Sequence, residues 1–266
     1  MENKIKMIVS DLDKSLLNDE RQISEYTKTV FQECVNIGFI VVFATARPMR
    51  ATKIFFSSIK PNATICHGGA IVYINEKQVF ESGIGQNHVK KILQKIIQNF
   101  PQSNLTIESN DEIYTNFDPS IYWREIAYKT LDIENLPKTN IEKIIVGLES
   151  FKNTDDIKQY LYKDLYLEIS EGLVGIIMNK NASKWNGIKK LLEYYKLKKD
   201  NVIAFGDDYN DIEMIKNCGI GIAMENGINE AKNVARGICG KNSEDGIAKW
   251  IKENILEKSK PAHNKR

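Results

Sequence analysis

Four strand-length stretches of this chain are apolar without a polar break: Met7-Ile8-Val9 at the end of residues 4–10, residues 39–44 (FIVVFA), the VIAF of residues 201–205, and residues 219–224 (GIGIAM). A strand with one wet face alternates polar and apolar side chains, so unbroken runs belong to a sheet covered on both faces. Helical patterns lie between them. Ser24 is a candidate N-cap for a helix to about Asn36, with Gly38 past its end and Val30, Phe31, Cys34 and Val35 on one face. Residues 184–195 repeat Ile188, Leu191, Leu192 and Tyr195 at helical spacing, and residues 208–217 read as a further helix stopped by Gly219. Strands alternating with helices predict parallel βαβ units and a doubly wound α/β sheet.

The middle of the chain breaks this pattern. Its β-rich segments are alternating or polar, as in Leu105-Thr106-Ile107-Glu108 and Ile113-Tyr114-Thr115, with helical segments near residues 89–99 and 155–161. The expected organisation is a core of residues 1–81 and 180–257, interrupted by an α+β unit of residues 82–179. The polar, basic residues 258–266 (KSKPAHNKR) are expected to fray.

Composition excludes several classes. The 37 basic and 35 acidic residues nearly balance, which argues against a nucleic-acid or membrane-surface partner. No segment approaches the ~20 apolar residues of a membrane span, and the N-terminus lacks the apolar region of a secretory signal. The four cysteines form no CxxC pair, as expected of reduced, mostly buried thiols in the cytoplasm; the three histidines do not cluster with them as a zinc site needs. Oligomeric state leaves no signature in the sequence.

Each chemically suggestive cluster follows an apolar run or opens a helix, and in open α/β sheets ligands bind at the carboxyl ends of the strands. Asp11-Leu12-Asp13-Lys14-Ser15 puts two carboxylates at i and i+2 directly after the first run, suited to a nucleophile and a general acid–base. A capped turn explains the same residues. A calcium loop does not, since Leu16 and Gln22 stand where it needs glycine and glutamate. Thr45-Ala46-Arg47-Pro48 offers a hydroxyl and free backbone N–H groups to a phosphate oxygen, or is a plain strand-to-helix turn. Gly206-Asp207-Asp208-Tyr209-Asn210-Asp211 crowds three carboxylates into five residues, which suits a magnesium ion better than an acidic helix start. Lys184 near a helix start opposes the helix dipole and hints at an anionic partner, although a lone lysine is more commonly solvated.

Taken together and in this order, the four clusters resemble the haloacid dehalogenase superfamily, and within it the Cof-type branch. Asp11-Leu12-Asp13 looks like the first motif, Thr45 the second, Lys184 the third and residues 206–211 the fourth. The likeness extends through residues 219–227 (GIGIAMENG) and 244–248 (EDGIA). The resemblance implies a Rossmann-like core with an inserted α+β cap that closes over the site and selects the substrate. It implies a Mg2+-dependent phosphatase acting on a small phosphorylated metabolite, sugar phosphates first. Asp11 would become an aspartyl phosphate, and Asp13 would protonate the leaving oxygen and then activate water. Magnesium would be held by Asp11, the Asp13 backbone carbonyl and Asp207, with Asp211 in support. Thr45, Ala46, Lys184 and Asn210 would hold or place the phosphoryl group.

Four positions depart from the family pattern. Lys14 stands where glycine is usual, Ser15 where threonine is, Trp185 where glycine is common, and Gly68-Gly69-Ala70 where Asn-Gly-Ala is. Tyr122, Trp123 and Arg124 could contact a leaving group, but ordinary cap core or surface is the favoured reading of all three. A phosphotransferase or phosphomutase on the same scaffold and a non-catalytic phosphometabolite-binding protein are the alternatives. A nucleotide-binding Rossmann protein lacks both GxGxxG after the first run and GxxxxGK[ST].

Overall fold

The first apolar run forms β1 (Met7–Ser10), an interior strand of an eight-stranded sheet. The computed structural model describes residues 5–123, 126–170 and 172–257. After β1 come α1 (Glu25–Asn36), β2 (Ile40–Ala44), the single turn α2 (Met49–Thr52), β3 (Ala63–Cys66), β4 (Ile71–Ile74) and β5 (Lys77–Glu81). Next are α3 (Gln86–Asn99), β6 (Leu105–Ser109), β7 (Glu112–Thr115), β8 (Lys129–Thr130), β9 (Lys143–Gly147), α4 (Asp155–Lys158), β10 (Leu165–Ser170) and β11 (Val174–Asn179). The chain ends with α5 (Lys184–Tyr195), β12 (Val202–Gly206), α6 (Ile212–Asn217), β13 (Ile220–Met224), α7 (Asn229–Val234), β14 (Gly237–Cys239) and α8 (Gly246–Ile251). It divides into two compact units, Met1–Phe80 with Ser183–Arg266, and Glu81–Ala182.

In the first unit the strand order is β14-β13-β12-β1-β2-β3-β4-β5. The pairings from β14 to β3 are parallel and β3–β4 is antiparallel. Alternate side chains go to opposite faces, and both faces are buried. Ile8, Val41, Phe43, Ile203 and Phe205 pack with Val30 and Phe31 of α1 and Ile247 and Ile251 of α8. Met7, Val9, Val42, Val202 and Ala204 pack with Ile188, Leu191 and Leu192 of α5 and Met214 and Ile215 of α6. Each of the larger side chains (Val, Leu, Ile, Phe, Met) contributes about 1.5–3 kcal/mol when fully buried, which is why the runs carry no polar residue. This is the doubly wound α/β arrangement.

Helix ends follow local chemistry. The Ser24 hydroxyl accepts the Thr27 N–H at 3.0 Å and bonds Asp245, and Gly38 takes φ +93° after α1. Two elements differ from expectation. Residues 209–211 form a 3₁₀ turn before α6, because the Asp211 carboxylate reaches back to the N–H groups of Asp207 and Asp208. Helix α4 is one turn long, and beyond it the bonds tighten to i→i+3 at Tyr160 and Leu161.

The second unit is an α+β sandwich with strand order β10-β11-β9-β6-β7-β8. One sheet face, with Leu105, Ile107, Ile144, Val146 and Ile177, packs against Val89, Ile92, Leu93 and Ile96 of α3. In this unit the Tyr122 hydroxyl donates to Glu149, and Tyr122 meets Trp123 edge-on. Arg124 lies outside the described residues, as does the segment 258–266. All four cysteines are buried and outside any disulfide, and burial pushes the thiols of Cys34, Cys218 and Cys239 up to about 12. Among the described residues no helix is long and apolar enough to cross a membrane.

Candidate active site

Strand order fixes where chemistry can occur. The chain leaves β1 toward β2 and β3 on one side, and later places β12 on the other side of β1. The carboxyl ends of β1 and β12 therefore flank a topological switch point, where a crevice opens. In register, Ser10 sits beside both Phe43 and Phe205. Asp11 follows Ser10, Thr45 follows β2 and Asp207 follows β12, so residues far apart in sequence leave neighbouring strands. The Asp11 N–H extends the ladder to the Phe205 carbonyl at 3.0 Å.

The loop after β1 is a wide turn closed by i→i+5 bonds, Leu16 N–H to the Asp11 carbonyl and Leu17 N–H to the Leu12 carbonyl, with non-helical backbone at Asp13 and Lys14. It requires a left-handed residue at position 14, and Lys14 adopts φ 59° there. An L-residue with a Cβ pays about 1–2 kcal/mol for that conformation, which is why glycine is the natural occupant. Asn226 secures the loop by donating to the Lys14 carbonyl at 2.8 Å, and Asn242 donates to the Leu17 carbonyl at 3.0 Å. Residue 68 is left-handed as well, at φ 62°, a conformation open to glycine and asparagine alike. Gly69 has φ +115°, and a Cβ there would lie 2.1 Å from the Ser183 carbonyl oxygen. That close approach seats the start of α5. The Ser183 hydroxyl caps α5 by accepting the Asn186 N–H, and Lys184 is its first residue.

Lys184 is not a solvated lysine. It is 1% exposed, and its ammonium donates to Asp11 Oδ1 and to Asp211 Oδ1, each at 2.6 Å. Asp211 Oδ2 accepts the N–H groups of Asp207 and Asp208 at 2.9 and 3.1 Å. Both Asp211 oxygens are thus engaged. Asp207 Oδ1 accepts the Ser15 hydroxyl at 2.7 Å. Trp185, the second residue of α5, is partly buried against the core cluster on that side of the sheet.

Burial pushes the Asp11 carboxyl well above the usual carboxylate range; Lys184 pulls it back, and Asp211 and Asp207 push it further up. Burial, then repulsion from Asp211, raises Asp207 to about 6 against the Ser15 hydrogen bond and Lys184. Burial opposes the charge on Lys184, but Asp11 and Asp211 more than offset it and hold its pKa above the ordinary lysine value. Three buried carboxylates face one ammonium, so the cluster is short of positive charge. Among the described residues, Asp11, Asp207 and Asp211 form the group of His, Cys, Asp and Glu side chains able to share an ion, with ligand atoms within 4.8 Å of one another. An all-oxygen set of this kind fits a hard divalent cation such as magnesium.

Asp13 lies apart from this network. Its carboxylate is gripped by Arg47, with Nε donating to Oδ2 at 2.7 Å and Nη2 to Oδ1 at 2.5 Å. The Thr45 hydroxyl is buried and accepts the Arg47 N–H at 3.1 Å, while Ala46 is exposed. Asn210 has a buried side-chain oxygen without a hydrogen-bond partner among the described residues. Sequence reasoning gave no role to Arg47, although it stands in the Thr45 cluster, nor to Ser15, Asn226 or Asn242. Only contacts reveal them.

Residues 8–251 match the family model of the haloacid dehalogenase-like hydrolases. The chain is 29% identical to YitU of Bacillus subtilis, a 5-amino-6-(5-phospho-D-ribitylamino)uracil phosphatase, over 95% of this chain and 98% of that protein. TM0651 of Thermotoga maritima superposes with a TM-score of 0.85 at 25% identity, covering 97% of this chain and 98% of that one. The subclass IIB sugar phosphatase BT4131 shares the fold with a TM-score of 0.78 at 20% identity, covering 93% and 98%.

Proposed function

Because this chain belongs to the haloacid dehalogenase-like hydrolases and is a phosphatase, we propose that it hydrolyses a small phosphorylated metabolite, sugar phosphates first, through an aspartyl phosphate on Asp11. The observation that carries the reading is the buried Lys184 ammonium joining Asp11 to Asp211, with Asp207 in the same cluster.

Asp11 attacks phosphorus with one carboxylate oxygen. Asp13 donates a proton to the ester oxygen as it leaves, then takes a proton from the water that opens the phosphoenzyme. The Thr45 hydroxyl, the Ala46 N–H, Asn210 and Lys184 hold and place the phosphoryl group. Phosphoryl transfer depends mainly on positioning and on stabilising spread charge, and Lys184 supplies fixed positive charge without reorganisation. Magnesium would be held by Asp11, the Asp13 backbone carbonyl and Asp207. When bound it offsets the charge of substrate and carboxylates together. Asp211 supports that site, since Lys184 and two backbone amides already engage both of its oxygens. The inserted unit, approximately residues 82–179, is the cap of this reading.

A second substrate reading is a ribitylamino-pyrimidine phosphate, favoured by the name of the Bacillus subtilis relative. Phosphate release with magnesium over a panel of sugar phosphates, nucleotides and ribitylaminouracil phosphate tests both. The expected result is turnover that Asp11→Asn abolishes. Activity surviving Asp11→Asn refutes the covalent route, and transfer to a sugar hydroxyl without phosphate release makes the protein a phosphotransferase.

A further inference from the structure

We propose that Arg47 is a positioning residue that orients Asp13 for acid–base catalysis, an inference that rests on the role given to Asp13 above. Asp13 has little else to fix its carboxylate, whose side chain is 47% exposed. Arg47, by contrast, is held at several points. Its N–H donates to Thr45 Oγ1, its carbonyl accepts the His67 N–H at 3.0 Å, Nη1 reaches the Ala51 carbonyl at 3.5 Å, and the guanidinium lies 5.2 Å over the Phe55 ring. The planar fork meets both oxygens of Asp13 and so sets the carboxylate plane as well as its position. The pair is partly exposed, and what a bidentate fork adds beyond charge is a fixed geometry.

The fork also matches one stage of the reaction. In the first half, an Asp11 oxygen forms the new bond to phosphorus while the ester P–O bond breaks. The proton on Asp13 goes to the departing oxygen, which leaves as the alcohol. Asp13 is then a carboxylate, with two oxygens free to accept the two N–H donors of Arg47. In the second half that carboxylate takes a proton from the attacking water, and the fork has kept it aimed until then. In the first half, while one Asp13 oxygen delivers its proton, the other still accepts from Arg47, which keeps the carboxyl plane aimed at the departing oxygen.

The test compares two esters by kcat/KM, which reports the half-reaction that expels the alcohol. One is p-nitrophenyl phosphate, whose leaving group departs without a proton. The other is an alkyl phosphate turned over in the panel above, whose leaving group needs one. Arg47→Gln should lower kcat/KM for the alkyl ester about tenfold or more, part of the ~100-fold or greater value of general acid–base catalysis, and leave the aryl ester within about threefold. Arg47→Lys keeps the charge and the stem over Phe55 but lacks the fork, and should show the same split; thermal unfolding verifies that both variants fold. In an Asp13→Asn background, Arg47→Gln should cost nothing further. Equal loss on both esters, or losses that add to those of Asp13→Asn, overturn the proposal in favour of a phosphate contact or a purely structural role. If Asp13→Asn itself fails to split the esters, the acid–base assignment of Asp13 falls and takes this one with it. A split with Asp13→Asn but none with Arg47→Gln refutes Arg47 alone.

Discussion

Replacing Lys184 by methionine removes the one ammonium in a cluster of three buried carboxylates while keeping most of the side chain's volume. Two hydrogen bonds of 2.6 Å to Asp11 and Asp211 disappear, and their acceptors remain buried. A hydrogen bond to a charged group contributes about 1.5–3 kcal/mol, and breaking a buried ion pair by removing one partner costs about 3–5 kcal/mol. For a chain of this size that is a fall in Tm of roughly 6–20 °C. The pH dependence has a definite sign. The Lys184 pKa is raised by folding, so its contribution is complete below the ordinary lysine value and is lost only as pH rises through the higher folded value. The wild-type protein therefore keeps this contribution across pH 6–9. In Lys184→Met the unbalanced carboxylates dominate. Asp11 and Asp207 already have raised values, and without the ammonium they rise further, so the variant is weakest at neutral pH and recovers toward acid as they take up protons. Turnover should fall about 10²–10³-fold, as for loss of other charge-stabilising groups. Thermal melts of both proteins in EDTA at pH 5 and pH 8, with phosphate release at pH 8, provide the check. An unchanged Tm at pH 8, or a penalty independent of pH, would show that Lys184 does not neutralise this cluster.

Two further outcomes follow from single residues. Glu142 is buried, with Oε1 accepting the Asn110 N–H and Oε2 without a partner among the described residues, and burial raises its carboxyl to about 7 against that hydrogen bond, with Glu108 and Glu81 adding to the rise. A raised carboxyl gives stability that is complete below about pH 4.5 and lost as pH rises through about 7, so Glu142→Gln should gain on the order of 3 kcal/mol relative to wild type between pH 4 and pH 8 in urea unfolding; a pH-independent difference counts against it. Lys14→Gly removes the left-handed strain at φ 59° but frees the unfolded chain, for a net gain of about 0.5–1 kcal/mol, and a lower Tm in the variant would refute that strain.

The fold class held, and so did local readings of helix ends and strands. The α1 cap at Ser24 and the full span of α5 are set by side chains within four residues of one another, and the apolar runs became strands because nothing in them tolerates water on either face. The shortened α4 and the 3₁₀ turn before α6 were missed because competing hydrogen bonds decide those ends, and a hydrophobic period does not register them. The left-handed requirement at residue 14 was visible only as an unexpected lysine.

The sequence by itself determined which residues stand at strand ends and helix starts, because propensity and periodicity are properties of neighbours along the chain. Its local reading of Lys184 stayed open between an anionic partner and a solvated charge, with only the family resemblance placing it at the phosphoryl group, and it read Arg47 as part of a turn. Only the tertiary structure brought Lys184 to Asp11 across 173 residues and Arg47 to Asp13 across 34. Strand order is decided by packing both sheet faces at once, and the charge balance of the cluster exists only after that packing has excluded water from it.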